Sequence, residues 1–208
     1  MTSLSFSALV PVKPLGHGKS RLADVDEDRR RALAHAFLAD TLDAVTCCPS
    51  VTGTIVVTDD FRLARQLRER CVVIPDGVSG DLNATLEQAA AEARRRWPEA
   101  RPVAVCADLP ALSAEALDVT LAALAAAAPQ GPAFVPDADG SGTTLYSAPH
   151  GSFTPGFGFN SRGFHVSEGA VEVTDVPNRV RLDVDTSADL ERALALGCGP
   201  ATTAAAAG

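Results

Sequence analysis

Short apolar segments and amphipathic helical segments alternate along this chain, and that alternation restricts it to α/β folds with a mainly parallel sheet. Ser5–Val12 reads as a first strand and Asp24–Val45 as a helix, with Leu33, Phe37, Leu38, Leu42 and Val45 on one apolar face and Pro49 closing it. Gly53–Thr58 is the second strand, Asp59–Arg70 the second helix and Val72–Pro75 a short third strand. A polar loop over Asp76–Asn83 precedes a helix over Thr85–Trp97. Pro102–Ala107 is fully apolar and therefore reads as a central strand, ending at Asp108. Ser113 is placed to cap a helix running to Ala127, and Ala133–Pro136 is another short strand. Asp137–Thr174, rich in Gly, Ser, Thr and Phe, reads as loops and short strands forming a lobe over the sheet. Arg179–Val184 is the expected last strand. Thr186 and Asp189 form a capping-box pattern for a helix over Ala188–Leu196. The expected organisation is one domain over residues 1–200, with 201–208 a disordered, low-complexity tail.

At 208 residues and 46% apolar composition, the chain is long enough to bury a sizeable core. It has no apolar run of membrane-spanning length and no signal-peptide pattern, so a cytoplasmic location is expected. The five cysteines form no CxxC pair and are odd in number, which argues against a disulfide framework or a cysteine zinc site and for buried reduced thiols. A net charge of −8 argues against a nucleic-acid partner. That charge is unevenly placed: residues 1–23 hold Lys13, Lys19 and Arg21 and no acidic residue.

Four groups of residues are candidates for chemistry. PVKPLGHGKSRLA, Pro11–Ala23, lies between the first strand and the first helix, where doubly wound sheets bind phosphates. Gly16 and Gly18 let backbone amides approach an anion, and Lys13, Lys19 and Arg21 supply charge. The Walker A spacing is absent. Read alone, this segment equally fits a surface turn with solvated basic residues. Asp108, at the end of the central strand, points to the ligand crevice or caps a turn beside Pro110. In LDVDT, strand alternation places Asp183 and Asp185 on one face, where two carboxylates repel unless a cation lies between them. The other reading is that Asp185 caps the last helix and Asp183 is exposed. Magnesium takes one or two carboxylates plus phosphate oxygens, so these acids are the metal candidates. Gly140–Thr144 and Phe157–Ser161 offer neutral donors suited to a carboxylate or phosphate, or are flexible surface loops. The four histidines show no metal-ligand spacing.

The ordered motifs PVKPLGHGKSRL, PDGVSGDLNATLEQA, CADLPAL, GSGTTL, FGFNS and RLDVDTSADL resemble the guanylyltransferases of deazaflavin coenzyme F-420 biosynthesis over about residues 6–198. These include 2-phospho-L-lactate guanylyltransferases and their phosphoenolpyruvate-using bacterial counterparts. The resemblance implies a single-domain, Rossmann-like, GT-A-like nucleotidyltransferase fold with a mixed, mainly parallel central sheet flanked by helices. It implies that Lys19 and Arg21 hold the triphosphate of GTP, with Asp108 and Asp183 binding Mg2+ and Asp185 nearby. It places Leu82 and Asn83 near the guanine, and Thr143, Gly158 and Ser161 around the phosphorylated acid. The implied reaction moves GMP from GTP to phosphoenolpyruvate or 2-phospho-L-lactate and releases diphosphate. The Ala- and Arg-rich composition is of the kind high-GC bacteria have, and for such a source the resemblance implies the phosphoenolpyruvate-using version. The implied partners are GTP, a small phosphorylated carboxylic acid and a downstream transferase; a homodimer is a possible assembly that no sequence feature specifies. A cytidylyl- or molybdopterin-type enzyme of the same fold, or a non-catalytic nucleotide-binding domain, are the alternatives.

Overall fold

The computed structural model describes residues 5–12, 26–77 and 80–207. Seven strands form one sheet: β1 (Phe6–Pro11), β2 (Val51–Val57), β3 (Val72–Ile74), β4 (Arg101–Val105), β5 (Ala133–Pro136), β6 (Thr143–Ser147) and β7 (Val171–Glu172). Their order is β3-β2-β1-β4-β6-β5-β7. β1 pairs in parallel with β2 and β4, β2 with β3, and β5 with β7; β6 runs antiparallel to both β4 and β5. The mixed, mainly parallel sheet read from the sequence is therefore present. The chain leaves β1 to build the sheet on one side and returns to build it on the other, so the order reverses between β1 and β4. In open α/β sheets such a reversal opens a crevice at the C-terminal strand ends, where ligands bind.

Helices cover both faces. On one, α1 (Glu27–Cys47) and α4 (Ala114–Ala127) bury Leu38, Leu42, Val45, Leu117, Leu121 and Leu124 against Val10, Val103 and Val105. On the other, α3 (Leu82–Arg96) packs Leu86, Ala89 and Ala93 with Leu9, Ile55, Phe134 and Tyr146. Helix α2 (Phe61–Leu67) links β2 to β3. No helix among the described residues is long and apolar enough to cross a membrane. None of the five cysteines is in a disulfide; Cys48 and Cys71 are buried, Cys106 and Cys198 half-buried, and Cys47 is exposed, contrary to the expectation of uniformly buried thiols.

Four stretches differ from the sequence reading. Helix α3 starts at Leu82, inside the expected polar loop, because the Asp81 side chain accepts the Asn83 and Ala84 amides at 3.0 Å and caps it. Asp137–Thr174 holds the expected loops and short strands, β6 and β7, but these strands belong to the central sheet and not to a lobe over it, and the stretch adds the short helix α5 (Ser161–Ser167). Arg179–Val184 is not a strand: Asn178–Arg181 forms the single turn α6, and the chain is irregular from there to Thr186, the cap of α7 (Ser187–Leu196). The capping box between Thr186 and Asp189 is formed as read. The tail is an α-helix, α8 (Pro200–Ala207), docked along α1. The buried carboxylate of Asp40 in α1 accepts the Ala201 and Thr202 amides at 3.0 and 2.8 Å, and Arg29 donates to the Ala206 carbonyl at 3.1 Å. An anion at the helix start and a cation at its end complement the helix dipole, and this fixes a segment that composition alone marks as disordered.

Candidate functional site

The C-terminal ends of β1, β4 and β5 and the start of β6 lie along one edge of the sheet. Lys13, Gly16, Gly18, Lys19 and Arg21 follow β1 at the reversal point, and all lie outside the described residues. Asp108 follows β4 there, half-buried, and its carbonyl accepts the Val184 amide at 3.1 Å. That bond carries the irregular stretch after α6 across the strand ends. From the other side, the Arg181 carbonyl accepts the Ala138 amide at 2.7 Å, and the Arg181 side chain donates to the Pro136 and Asp137 carbonyls at 3.1 and 3.0 Å. Asp183 is thus held between the ends of β4 and β5 without being in a strand.

The electrostatics show how close the acids stand. Burial raises the Asp183 carboxyl to about 7, and the charges of Asp108, Asp185 and Asp137 add to the rise. Asp185 sits just before the α7 cap, with its amide directed at the Asp189 carboxylate at 3.4 Å. Asp108, Asp183 and Asp185 are therefore neighbours, as the sequence implied, although the strand alternation used to place the last two is absent. Among the described residues no three His, Cys, Asp or Glu side chains form a ready-made metal cage. A pair of carboxylates that completes its cation shell with phosphate oxygens is the donor set magnesium takes on a nucleotide, and Asp108 with Asp183 fits it. A cavity of about 380 Å³ between α6 and α7, bordered by Asn178, Arg181, Leu182 and Arg192, touches none of these carboxylates.

Asp137, unnoticed in the sequence, belongs to this group. Its carboxylate accepts the Ser141 and Gly142 amides at 2.9 and 2.7 Å and closes the loop Asp137–Gly142. Those two amides are engaged within the loop and are not the donors to a ligand that the glycine-rich sequence offered. A side chain at Gly142 would stand 2.4 Å from the Asp137 carboxylate, so the loop closes only around a glycine.

The expected acid-binding residues lie beyond that loop. Thr143 begins β6 and is 5% exposed. Pairing with β5 shifts here, with Val135 opposite Leu145 and Pro136 opposite Thr143, so Thr144 is an extra residue. Such a bulge re-aims the side chain next to it. Unbroken alternation would put Thr143 and Tyr146 on opposite faces; instead both meet the ring of His165 on α5, Thr143 by a 2.9 Å hydrogen bond and Tyr146 by stacking at 4.6 Å. Ser161, buried, starts α5 one helical turn before His165, and Gly158 adopts a φ of 132° just ahead of it. Asn83, expected near the guanine, uses its side-chain amide on the neighbouring loop: it accepts the Phe157 amide at 2.7 Å and donates to the Phe157 carbonyl at 3.1 Å. Leu82, half-buried beside it, packs against the core beneath. The segments implied to hold nucleotide and acid are thereby joined. Metal-ligand spacing does not single out His165; its sequence signal is its place four residues after Ser161, on the same helix face.

A parallel sheet with one reversed strand and a crevice at the reversal is the architecture of the nucleotide-diphospho-sugar transferase fold. Solved structures agree on the fold. A putative nucleotide-diphospho-sugar transferase from Desulfovibrio desulfuricans G20 superposes with a TM-score of 0.66 at 20% identity, covering 90% of this chain and 85% of that one. The 4-diphosphocytidyl-2C-methyl-D-erythritol synthase from Anaerococcus prevotii superposes with a TM-score of 0.58 at 13% identity, covering 92% and 95%. The family is set by sequence. A family model described as guanylyl transferase CofC like matches residues 6–202. The phosphoenolpyruvate guanylyltransferase of Streptomyces coelicolor is 47% identical over 209 residues, covering 98% of this chain and 97% of its own. That of Thermomonospora curvata is 45% identical over 207 residues, covering 98% and 90%. The chain belongs to the CofC-like guanylyl transferase family and is a nucleotidyltransferase.

Proposed function

We propose that this enzyme transfers GMP from GTP to the phosphate of phosphoenolpyruvate, releasing diphosphate, within coenzyme F-420 biosynthesis. The observation that carries the reading is the group of Asp108, Asp183 and Asp185 at the reversal point of the sheet, where burial and the neighbouring carboxylates raise Asp183 to about 7. Phosphoenolpyruvate is favoured over 2-phospho-L-lactate because relatives covering nearly the whole chain carry that name. In the reaction, a phosphate oxygen of the acid attacks the α-phosphorus of GTP, and the bond from that phosphorus to the β-phosphate oxygen breaks. The attacking phosphate is already anionic at neutral pH, so no general base is required. Asp108 and Asp183, with Asp185 beside them, would hold Mg2+, which supplies neutralisation of charge on the phosphate oxygens. Lys19 and Arg21 are assigned to the departing diphosphate, and Lys13, Gly16 and Gly18 to the rest of the triphosphate. Leu82 and Asn83 border the nucleotide, and Thr143, Gly158 and Ser161 the acid. Fixed positioning and electrostatic stabilisation then supply the rate enhancement. The guanylylated acid passes to a transferase that accepts it, in the cytoplasm where GTP is available.

The test is diphosphate release measured with each of the four nucleoside triphosphates against phosphoenolpyruvate, 2-phospho-L-lactate and 3-phosphoglycerate. The reading expects the highest kcat/KM with GTP and phosphoenolpyruvate. A preference for CTP would instead favour a cytidylyltransferase of this fold.

A further inference from the structure

The hydrogen bonds around His165 fix its tautomer. The Gly156 amide, which can only donate, points at Nε2 from 3.0 Å, so Nε2 is the accepting, unprotonated nitrogen. The ring is 1% exposed and enclosed by Phe134, Tyr146, Phe157 and Phe164, an apolar setting that holds the imidazole neutral and lowers it to about 4. In the neutral ring the proton must then sit on Nδ1, which donates to Thr143 Oγ1 at 2.9 Å. A threonine hydroxyl that accepts from histidine still has its own proton to give. The bond to His165 is the hydroxyl's one hydrogen bond among the described residues.

We infer that His165 is a positioning residue for the acid acceptor: by donating to Thr143 Oγ1 it commits the Thr143 hydroxyl proton to the bound acid. The same ring anchors Gly156, and Asn83 anchors the adjoining Phe157, so the loop before Gly158 is strung between α5 and α3. A side chain at Gly156 would stand 1.9 Å from the Phe164 ring, so that ring packs directly against this glycine. Any hydrophobic residue would fill the space of the ring; only a neutral group with a donor on one side and an acceptor on the other serves both Thr143 and Gly156. This inference rests on the assignment of Thr143 to the acid.

Two replacements separate the ring's two bonds. In His165→Asn the terminal amide falls at the Nδ1 position and can still donate to Thr143. In His165→Gln it falls at the Nε2 position, keeping the Gly156 contact and losing Thr143. Steady-state kinetics with GTP and phosphoenolpyruvate are measured for both, for Thr143→Val, and for Thr143→Val combined with His165→Gln, with thermal melting as a check on folding. His165→Gln is expected to raise the KM for the acid about five- to tenfold, the scale of one lost hydrogen bond, with the KM for GTP unchanged. His165→Asn, which gives up the Gly156 bond but keeps the donor to Thr143, is expected to raise the acid KM less than His165→Gln does, and His165→Gln to add less than about twofold in the Thr143→Val background, because coupled residues are not additive. An unchanged acid KM in His165→Gln, an equal rise for GTP, or full additivity with Thr143→Val overturns the role of His165 alone. Absence of turnover with any phosphorylated acid in the wild-type enzyme overturns the proposed function, and this inference with it.

Discussion

Asp183 is the residue through which the proposed metal site is most directly tested. Its carboxyl is raised from an ordinary value of 3.8 to about 7 by burial and by three neighbouring aspartates. The folded chain therefore binds this proton more tightly than the unfolded chain across that window. Through this group, stability falls as pH rises from about 4 to 7 in metal-free protein. His165 acts with the opposite sign: lowered to about 4 by burial, it is protonated more readily in the unfolded chain, so its contribution is lost as pH falls from 6.5 toward 4. A divalent cation competes with the Asp183 proton, so the gain in Tm on adding Mg2+ should be larger at pH 8 than at pH 5.5, and should largely disappear in Asp183→Asn. Equal gains at both pH values, or an undiminished gain in the variant, would remove Asp183 from the metal. Asp108→Ala is expected to abolish turnover at saturating Mg2+ while the melting transition stays cooperative; wild-type rates would remove Asp108 likewise. Asp108 was readable in the sequence because an apolar run leads straight to it. Asp137 and His165 were not, because their partners, Gly142 and Thr143, meet them through a closed loop and a bulge that apolar periodicity does not encode.

At the scale of elements, the legible parts were those whose signal is local. The strands at Phe6–Pro11, Val51–Val57 and Arg101–Val105 follow from short apolar runs, and α4 and α7 follow from Ser113 and Thr186 as caps. The stretch RVRLDV alternates with period two and reads as a strand, yet Pro177 opens a helical turn and the chain then bonds singly to Asp108. Six residues of alternation do not distinguish a strand from a helical turn followed by an extended connector. Helix α8 was misread for a different reason. Alanine is the best helix former, but a helix of this length is marginal alone, and what holds it is Asp40, 161 residues away in sequence from Ala201. Asp40→Ala should cost about 2 kcal/mol in urea denaturation, the scale of hydrogen bonds to a charged acceptor, and should expose α8 to proteolysis first. An unchanged midpoint would show that apolar packing alone docks the tail. Asn83→Ala removes both bonds from α3 to the Phe157 loop and, since that residue links the segments proposed to border the nucleotide and the acid, should raise the KM for GTP and for the acid together. A change in only one would show the segments to be independent.

The whole molecule combines an acidic surface with a site for two anionic substrates. A chain of net charge −8 can hold a triphosphate only where positive charge is concentrated. Its three earliest cations, Lys13, Lys19 and Arg21, follow in sequence the strand at which the sheet reverses. Arg21→Ala should accordingly raise the GTP requirement or lower turnover by at least about tenfold, a loss on the scale of one charge-assisted contact; an unchanged GTP profile would remove Arg21 from the site. The fold class was legible from strand–helix alternation alone, whereas the acid acceptor was not, since phosphoenolpyruvate and 2-phospho-L-lactate differ by an amount worth only about 1–3 kcal/mol in a pocket. The most direct test follows the phosphorus that moves. With GTP labelled at the α-phosphate, phosphoenolpyruvate and Mg2+, the label should pass into a guanylylated acid, identified by mass, one for each diphosphate released. Label recovered only as free GMP, or transferred to an acceptor other than a phosphorylated three-carbon acid, would contradict the account.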